Sequence, residues 1–238
     1  MSSLVTSSAP RRAPGSAGFR RLAAALYGAG FVLLGWCGAV CVEAAAYQAF
    51  QSSRLDRLIR DLRSIAGPSG VGPQGAVATR AEAMSGGLVG RIEVERIGLS
   101  AIVAEGIDDR TLRRAVGHLP GTPFPGERGN AALSGHRDTF LRRLEDVREG
   151  DVIRITTLDG VFDYAVDSIR VVEPTQVDVL DSGRAPELTL ITCYPFRYIG
   201  PAPERYIVRS RLIGSSHVSA TAERPTRNPM RKERVHSS

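Results

Sequence analysis

Hydrophobic and polar positions divide the chain into regions of different texture. Residues 22–42, LAAALYGAGFVLLGWCGAVCV, carry no charge. That is about the 20 residues a helix needs to cross the hydrocarbon core of a bilayer. Beyond this run, Leu55, Leu58, Ile59, Leu62 and Ile65 recur at helical spacing among charged residues, which predicts an amphipathic helical stalk. Gly67 and Pro68 end it. From there to Gly87 the chain is Gly, Pro, Ala and Ser with scattered charges, the composition of a flexible linker.

From Leu88 the texture changes to short alternating runs. RIEVERI, beginning at Arg91, points Ile92, Val94 and Ile97 inwards, and AIVAEGI follows a break at Leu99–Ser100. AALSGH, VIRITT, FDYAVDSIRVV, LTLITC and RYIVRSRLI read as further strands between Gly, Asp and Pro turns. Residues 112–118 and 141–147 read as short helices. Many short strands with few helices predict a mainly β domain, a closed or nearly closed barrel. The resulting boundaries are a 1–21 N-terminal segment, a 22–43 anchor, a 44–87 stalk and linker, an 88–214 domain and a 215–238 basic tail. The tail has the composition of a disordered segment.

The net charge of +6 invites a nucleic-acid reading, so its location matters. Arg11, Arg12, Arg20 and Arg21 precede the apolar run with no acidic residue among them. Arg224, Arg227, Arg231, Lys232 and Arg234 face only Glu223 and Glu233 in the tail. The stretch between is close to neutral, with no basic stripe, and nucleic acid is not an expected partner. The arginines before the apolar run place the N-terminus in the cytoplasm and the domain outside, as a single-pass protein held in membrane lipid. A cleaved signal peptide with small residues at 44–46 is the rival reading. A lipoprotein signal does not fit, because Trp36 precedes Cys37 and Val40 precedes Cys41.

Cys193 is the one cysteine beyond the apolar run. In an oxidising compartment cysteines are normally paired, and an exported thiol without a partner in its domain is a candidate nucleophile. It ends the strand-like TLITC; His136 ends another in SGHRDTF, and Arg205 opens a third in PAPERYIV. Strand ends hold a side chain rigidly while the following loop leaves it accessible. A free thiol is only a few per cent thiolate at neutral pH, so a neighbouring His must take its proton and later return it to a leaving amine. His136 is the candidate acid/base, with His118 as the competitor. Arg205 is the candidate donor to an oxyanion or a substrate carbonyl; Arg209 and Arg211, on the same side of the strand, compete with it. Asp138 is placed to orient His136 or to cap a turn. Cysteine, histidine and acidic spacings match no metal site.

This combination resembles the sortase family of membrane-anchored cysteine transpeptidases, and CYPF with APER resembles its class D branch. TLITC corresponds to the family's TLxTC signature, His136 to its His and Arg205 to its Arg, over roughly residues 87–214. The resemblance implies a sortase-type closed β-barrel behind one transmembrane helix, with catalytic Cys193, His136 and Arg205. It implies as partners exported proteins bearing an LPxTG-like C-terminal signal, cut between the fourth and fifth residues. The acyl group would pass to an amine on a cell-wall precursor or a protein subunit. It implies no cofactor and, since no acidic cluster matches the calcium site of some members, no metal. Thr192, Tyr194, Phe196 and Tyr198 are candidate substrate-contacting residues. The last three lie in a proline-stiffened loop fit for a peptide groove. Thr192, facing away from Cys193 in a regular strand, would act through its backbone and packing. Two alternatives carry less of the pattern. An L,D-transpeptidase has His and Gly close before its cysteine, where this chain has Leu-Ile-Thr. A non-catalytic binding module would not need all three catalytic residues.

Overall fold

The structure is a computed structural model that describes residues 16–65, 87–181 and 183–217. The first fifteen residues, most of the expected linker (66–86) and the tail beyond 217 lie outside the described residues. The chain divides into two compact units, Met1–Ala46 and Tyr47–Ser238.

In the first unit, helix α1 (Ser16–Ile65) carries the apolar run. Leu22, Leu26, Phe31, Leu33, Leu34 and Trp36 are all exposed. A helix that is apolar all round belongs in a protein interior or a membrane, and among the described residues of this unit nothing buries it. It is long and apolar enough to cross a membrane, since residues 22–42 rise about 32 Å at 1.5 Å each.

In the second unit, α1 from Tyr47 onwards belongs to the barrel. Leu55, Leu58, Ile59 and Leu62 are buried in one cluster with Leu88, Ile102, Ala104, Ala115 and Leu158. Gln48 stitches the helix on: its Nε2 donates to Arg114 O at 2.6 Å, and its Oε1 accepts from Ile102 N at 2.8 Å. Asp56 pairs with Arg91 at 3.2 Å. The stripe expected to mark a stalk is therefore a docking face.

Eight strands close the barrel in the order β1-β2-β3-β4-β7-β8-β6-β5. They are β1 (Leu88–Val94), β2 (Leu99–Glu105), β3 (Val116–His118), β4 (Gly129–Ser134), β5 (Val152–Thr157), β6 (Gly160–Val172), β7 (Pro186–Tyr194) and β8 (Glu204–His217). The expected alternation holds in β1 and in β5, where every second residue is buried. Of these, Ile92, Val94, Ile153 and Ile155 fill the interior with Leu133, Leu188, Leu190 and Tyr164. Burial pushes the Tyr164 phenol up to about 12, against the opposing hydrogen bond from Gly126 N–H. Two register shifts interrupt the pairing of β6 with β8, with Asp167 extra in β6 and Ile213 extra in β8, and such bulges bend the strands.

Three local expectations are corrected. The break before β2 is a 3₁₀ turn, Glu95–Ile97, closed by Gly98 at φ +61, a left-handed backbone that suits glycine. The helix expected over 112–118 is a single turn at α2 (Asp109–Leu112), capped by Asp108. It gives way to β3, which pairs with β2 and β4. Gly117 is required there, because a Cβ would lie 2.3 Å from Gly106 O. The helix expected over 141–147 is a 3₁₀ turn, Arg142–Asp146. Strand β8 also runs past residue 214, pairing His217 with Gly160.

Candidate active site

Strand β7 lies between β4, which runs parallel to it, and β8, which runs antiparallel. Its even-numbered residues Leu188 and Leu190 face the barrel interior, while Ile191 packs with Ile207 and Val179 on the other face. Side chains alternate along a strand, so Cys193 shares the face of Ile191 and Thr192 the face of Leu190. Thr192 is buried, and its hydroxyl donates to Gly135 O at 2.7 Å. Cys193 is a partly exposed free thiol.

Register brings the other two candidates abreast of it. Arg205 is the cross-strand partner of Cys193. On the other side, β4 ends with Ser134 level with Ile191, and Gly135 N extends the ladder by donating to Ile191 O at 3.1 Å. Two residues past Ser134 in a parallel pair is His136, level with Cys193. Adjacent strands are about 4.8 Å apart, so Arg205 sits beside Cys193 on β8, and His136 follows the end of β4 on the other side of β7. Gly135 also lets Leu141 pack against this turn, since a Cβ there would lie 2.9 Å from the Leu141 side chain.

His136 is half-buried and, among the described residues, makes no side-chain hydrogen bond; exposed Asp138 is not tied to it. Its competitor is placed otherwise. His118 is 1% exposed, stacked on Phe124, with Nδ1 2.6 Å from Glu105 and Nε2 3.0 Å from Pro123 O. It is a structural residue of the barrel wall. The competing arginines are likewise occupied. Arg209 is bonded to Glu187 and to Asp181 O, and Arg211 is paired with Asp167. Among the described residues Arg205 Nη1 donates to two nearby carbonyls, Ala202 O at 3.3 Å and Glu204 O at 2.9 Å.

The aromatic loop is divided in its roles. Tyr194, Phe196 and Tyr206 form a packed trio, with ring centroids 5.0–6.1 Å apart, and Phe196 is buried in the core cluster. Phe196 plugs the barrel end, so the expectation of an open groove wall at that ring is corrected; Tyr194 is only partly buried. Burial, and then the neighbouring Tyr194, push the Tyr206 phenol up. Tyr198 is 48% exposed. Arg137, not singled out from sequence, holds this loop: its Nη2 donates to Tyr198 O at 2.9 Å and Gly200 O at 3.0 Å.

A cavity of about 480 Å³ lined by Leu88, Phe124, Leu158 and Phe162 sits at the barrel end where β1 begins and β8 finishes. That is the end away from Cys193, so it is not part of this arrangement. Among the described residues, no three His, Cys, Asp or Glu are grouped to hold a metal ion.

A family model for the Sortase domain matches residues 92–213. The chain is 35% identical over 125 residues to Sortase D of Bacillus subtilis, covering 52% of this chain and 63% of that one. It is 29% identical over 110 residues to Sortase A of Listeria monocytogenes, covering 44% and 49%. The chain thus spans less than two thirds of the length of these relatives. A Clostridium perfringens Sortase D5 transpeptidase superposes with a TM-score of 0.54 at 29% identity, covering 68% of this chain and 99% of that one. Sortase C-1 from Actinomyces oris superposes with a TM-score of 0.51 at 30% identity, covering 63% and 87%.

Proposed function

The chain belongs to the sortase family, and from that premise we propose that it is a cysteine transpeptidase that cuts an LPxTG-like sorting signal and joins the new carboxyl end to an amine. What supports this is the register that pairs Cys193 with Arg205 across β7 and β8, with His136 two residues past Ser134, where β4 ends beside β7. In the first step the Cys193 thiolate attacks the carbonyl carbon of the Thr–Gly bond. A C–S bond forms and the carbonyl π pair moves to oxygen. Arg205, released from its loop carbonyls, donates to that oxygen or to an adjacent substrate carbonyl; its planar fork suits either task. His136 hands its proton to the leaving amine as the C–N bond breaks, leaving a thioester. An incoming amine then attacks the thioester and gives a proton to His136, and Cys193 leaves as thiolate.

The N-terminal helix anchors the enzyme in the membrane, with Arg11, Arg12, Arg20 and Arg21 on the cytoplasmic side and the barrel outside, where exported substrates emerge. The acceptor amine belongs to a cell-wall precursor or another protein subunit.

Incubating the protein with an LPxTG-type peptide and graded concentrations of an amine tests the transfer step. The ligated product should rise with amine while hydrolysed peptide falls, because both drain one thioester. Cleavage at another bond, or a product ratio indifferent to amine, refutes the scheme.

A further inference from the structure

The segment between Cys193 and Arg205 is held by two guanidinium groups. Pro195, Pro201 and Pro203 bring it no N–H donors, so its carbonyls must find donors elsewhere. Arg205 takes Ala202 O and Glu204 O. Arg137 takes Tyr198 O and Gly200 O, and its guanidinium carbon lies 5.7 Å from the Tyr198 ring centre, within cation–π range. Alternate carbonyls 198, 200, 202 and 204 are therefore shared between Arg205 and the residue next to His136. An ion pair from the same loop, Arg197 to Glu145 at 3.3 Å, is 80% exposed on the Arg side and is worth little. A second observation points beyond the loop. Arg137 Nη1 is buried and, among the described residues, has no hydrogen-bond partner, an expensive arrangement for a charged donor.

Resting on the reading that His136 and Cys193 act on an extended peptide, we propose that Arg137 is a specificity-determining clasp. Its Nη2 holds the 195–203 loop against the His136 segment, and its Nη1, covered in the free protein, donates to a main-chain carbonyl of the bound sorting peptide once the peptide displaces the side chains that cover it. An extended peptide presents a carbonyl at every residue, and it must pass beside His136 for that residue to reach the leaving amine. The planar guanidinium keeps one amino group on the loop while aiming the other elsewhere, which a Lys ammonium does not reproduce.

The test compares the full chain in detergent with Arg137→Ala and Arg137→Lys, their melting temperatures being checked first. Without peptide, hydrogen exchange at the amides of residues 198–202 should be faster in Arg137→Ala. With an LPxTG-type peptide, KM should rise about 10-fold or more, the worth of one hydrogen bond to a charged group, while kcat changes little. Arg137→Lys should recover only part of the loss. Added guanidinium ion should lower the KM of Arg137→Ala and leave the wild type unchanged. A KM within two-fold of wild type, or a fall in kcat alone, overturns the peptide contact. Unchanged loop exchange overturns the clasp. If the wild type yields no product, the transpeptidase reading fails and takes the peptide contact with it, while the exchange comparison still judges the loop contact. Should Arg137→Ala not fold, Arg137→Gln keeps the bulk and answers the same questions.

Discussion

Leu55→Ala should destabilise the barrel unit by about 2–5 kcal/mol. Leu55 is fully buried on α1, against a cluster that includes Leu88, Ile102, Ala104, Ala115 and Leu158. Truncation removes roughly three carbon groups at about 0.8 kcal/mol each, and the cavity left in a close-packed cluster adds to that. At about 2–4 °C per kcal/mol for a domain of this size, a loss near 3 kcal/mol lowers the melting temperature by roughly 6–12 °C. Urea unfolding of the unit from Tyr47 onwards, followed by circular dichroism, measures it. Arg57→Ala, on the exposed side of the same helix, is the control and should stay within about 0.5 kcal/mol. Strands β1 and β2 lie across the barrel from β7 and β8, so kcat below the transition should not change. A Leu55→Ala midpoint within about 1 kcal/mol of wild type would refute docking and return the helix to a stalk.

Arg205→Lys should lower kcat/KM by roughly 100-fold or more if the residue is an oxyanion donor, whereas Arg209→Lys should act mainly on stability, through the lost Glu187 and Asp181 bonds; the reverse ranking in peptide kinetics would move the role along β8. His136→Ala should abolish turnover with the melt unchanged, and His118→Ala should lower the melting temperature while the folded fraction stays active; an inactive but stable His118 variant would exchange their roles. Asp151 is held below the usual carboxylate range, chiefly by the Arg96 side-chain hydrogen bond. A depressed carboxyl stabilises the fold above its unfolded value near 3.9 and loses that contribution as pH falls through its folded value. Stability should therefore drop less steeply on acidification below about pH 5 in Asp151→Asn than in wild type, and identical slopes in urea titrations would discount the pair.

Strands were legible where one face meets the core and the other meets water, as in VIRITT, whose limits match β5. In β4 and the middle of β7, residues are buried on both faces. Such strands read as plain apolar runs whose pairing is not written in any alternation. The three residues of β3 are too few for a period, and Gly117 serves a backbone approach that no pattern signals. Helical spacing at Leu55, Leu58 and Ile59 revealed an apolar face, but a face does not name what covers it. At the candidate site, TLITC, SGHRDTF and PAPERYIV pointed to residues that the register then brought level. Arg137 was not legible, because its partners are carbonyl oxygens, which every residue carries. The inward turn of Phe196 and outward turn of Tyr198 escaped as well, since the prolines between β7 and β8 remove any period to read.

Intact-mass spectrometry after mixing the protein with an LPxTG-type peptide tests the central claim most directly. A brief reaction quenched in acid, which preserves a thioester, should show the chain heavier by the acyl fragment ending in Thr, with peptide mapping placing it on Cys193. The adduct should be absent in Cys193→Ala and should vanish from wild type when hydroxylamine is added. An unmodified wild-type chain that still consumes peptide, or an adduct that persists in Cys193→Ala, would contradict the account.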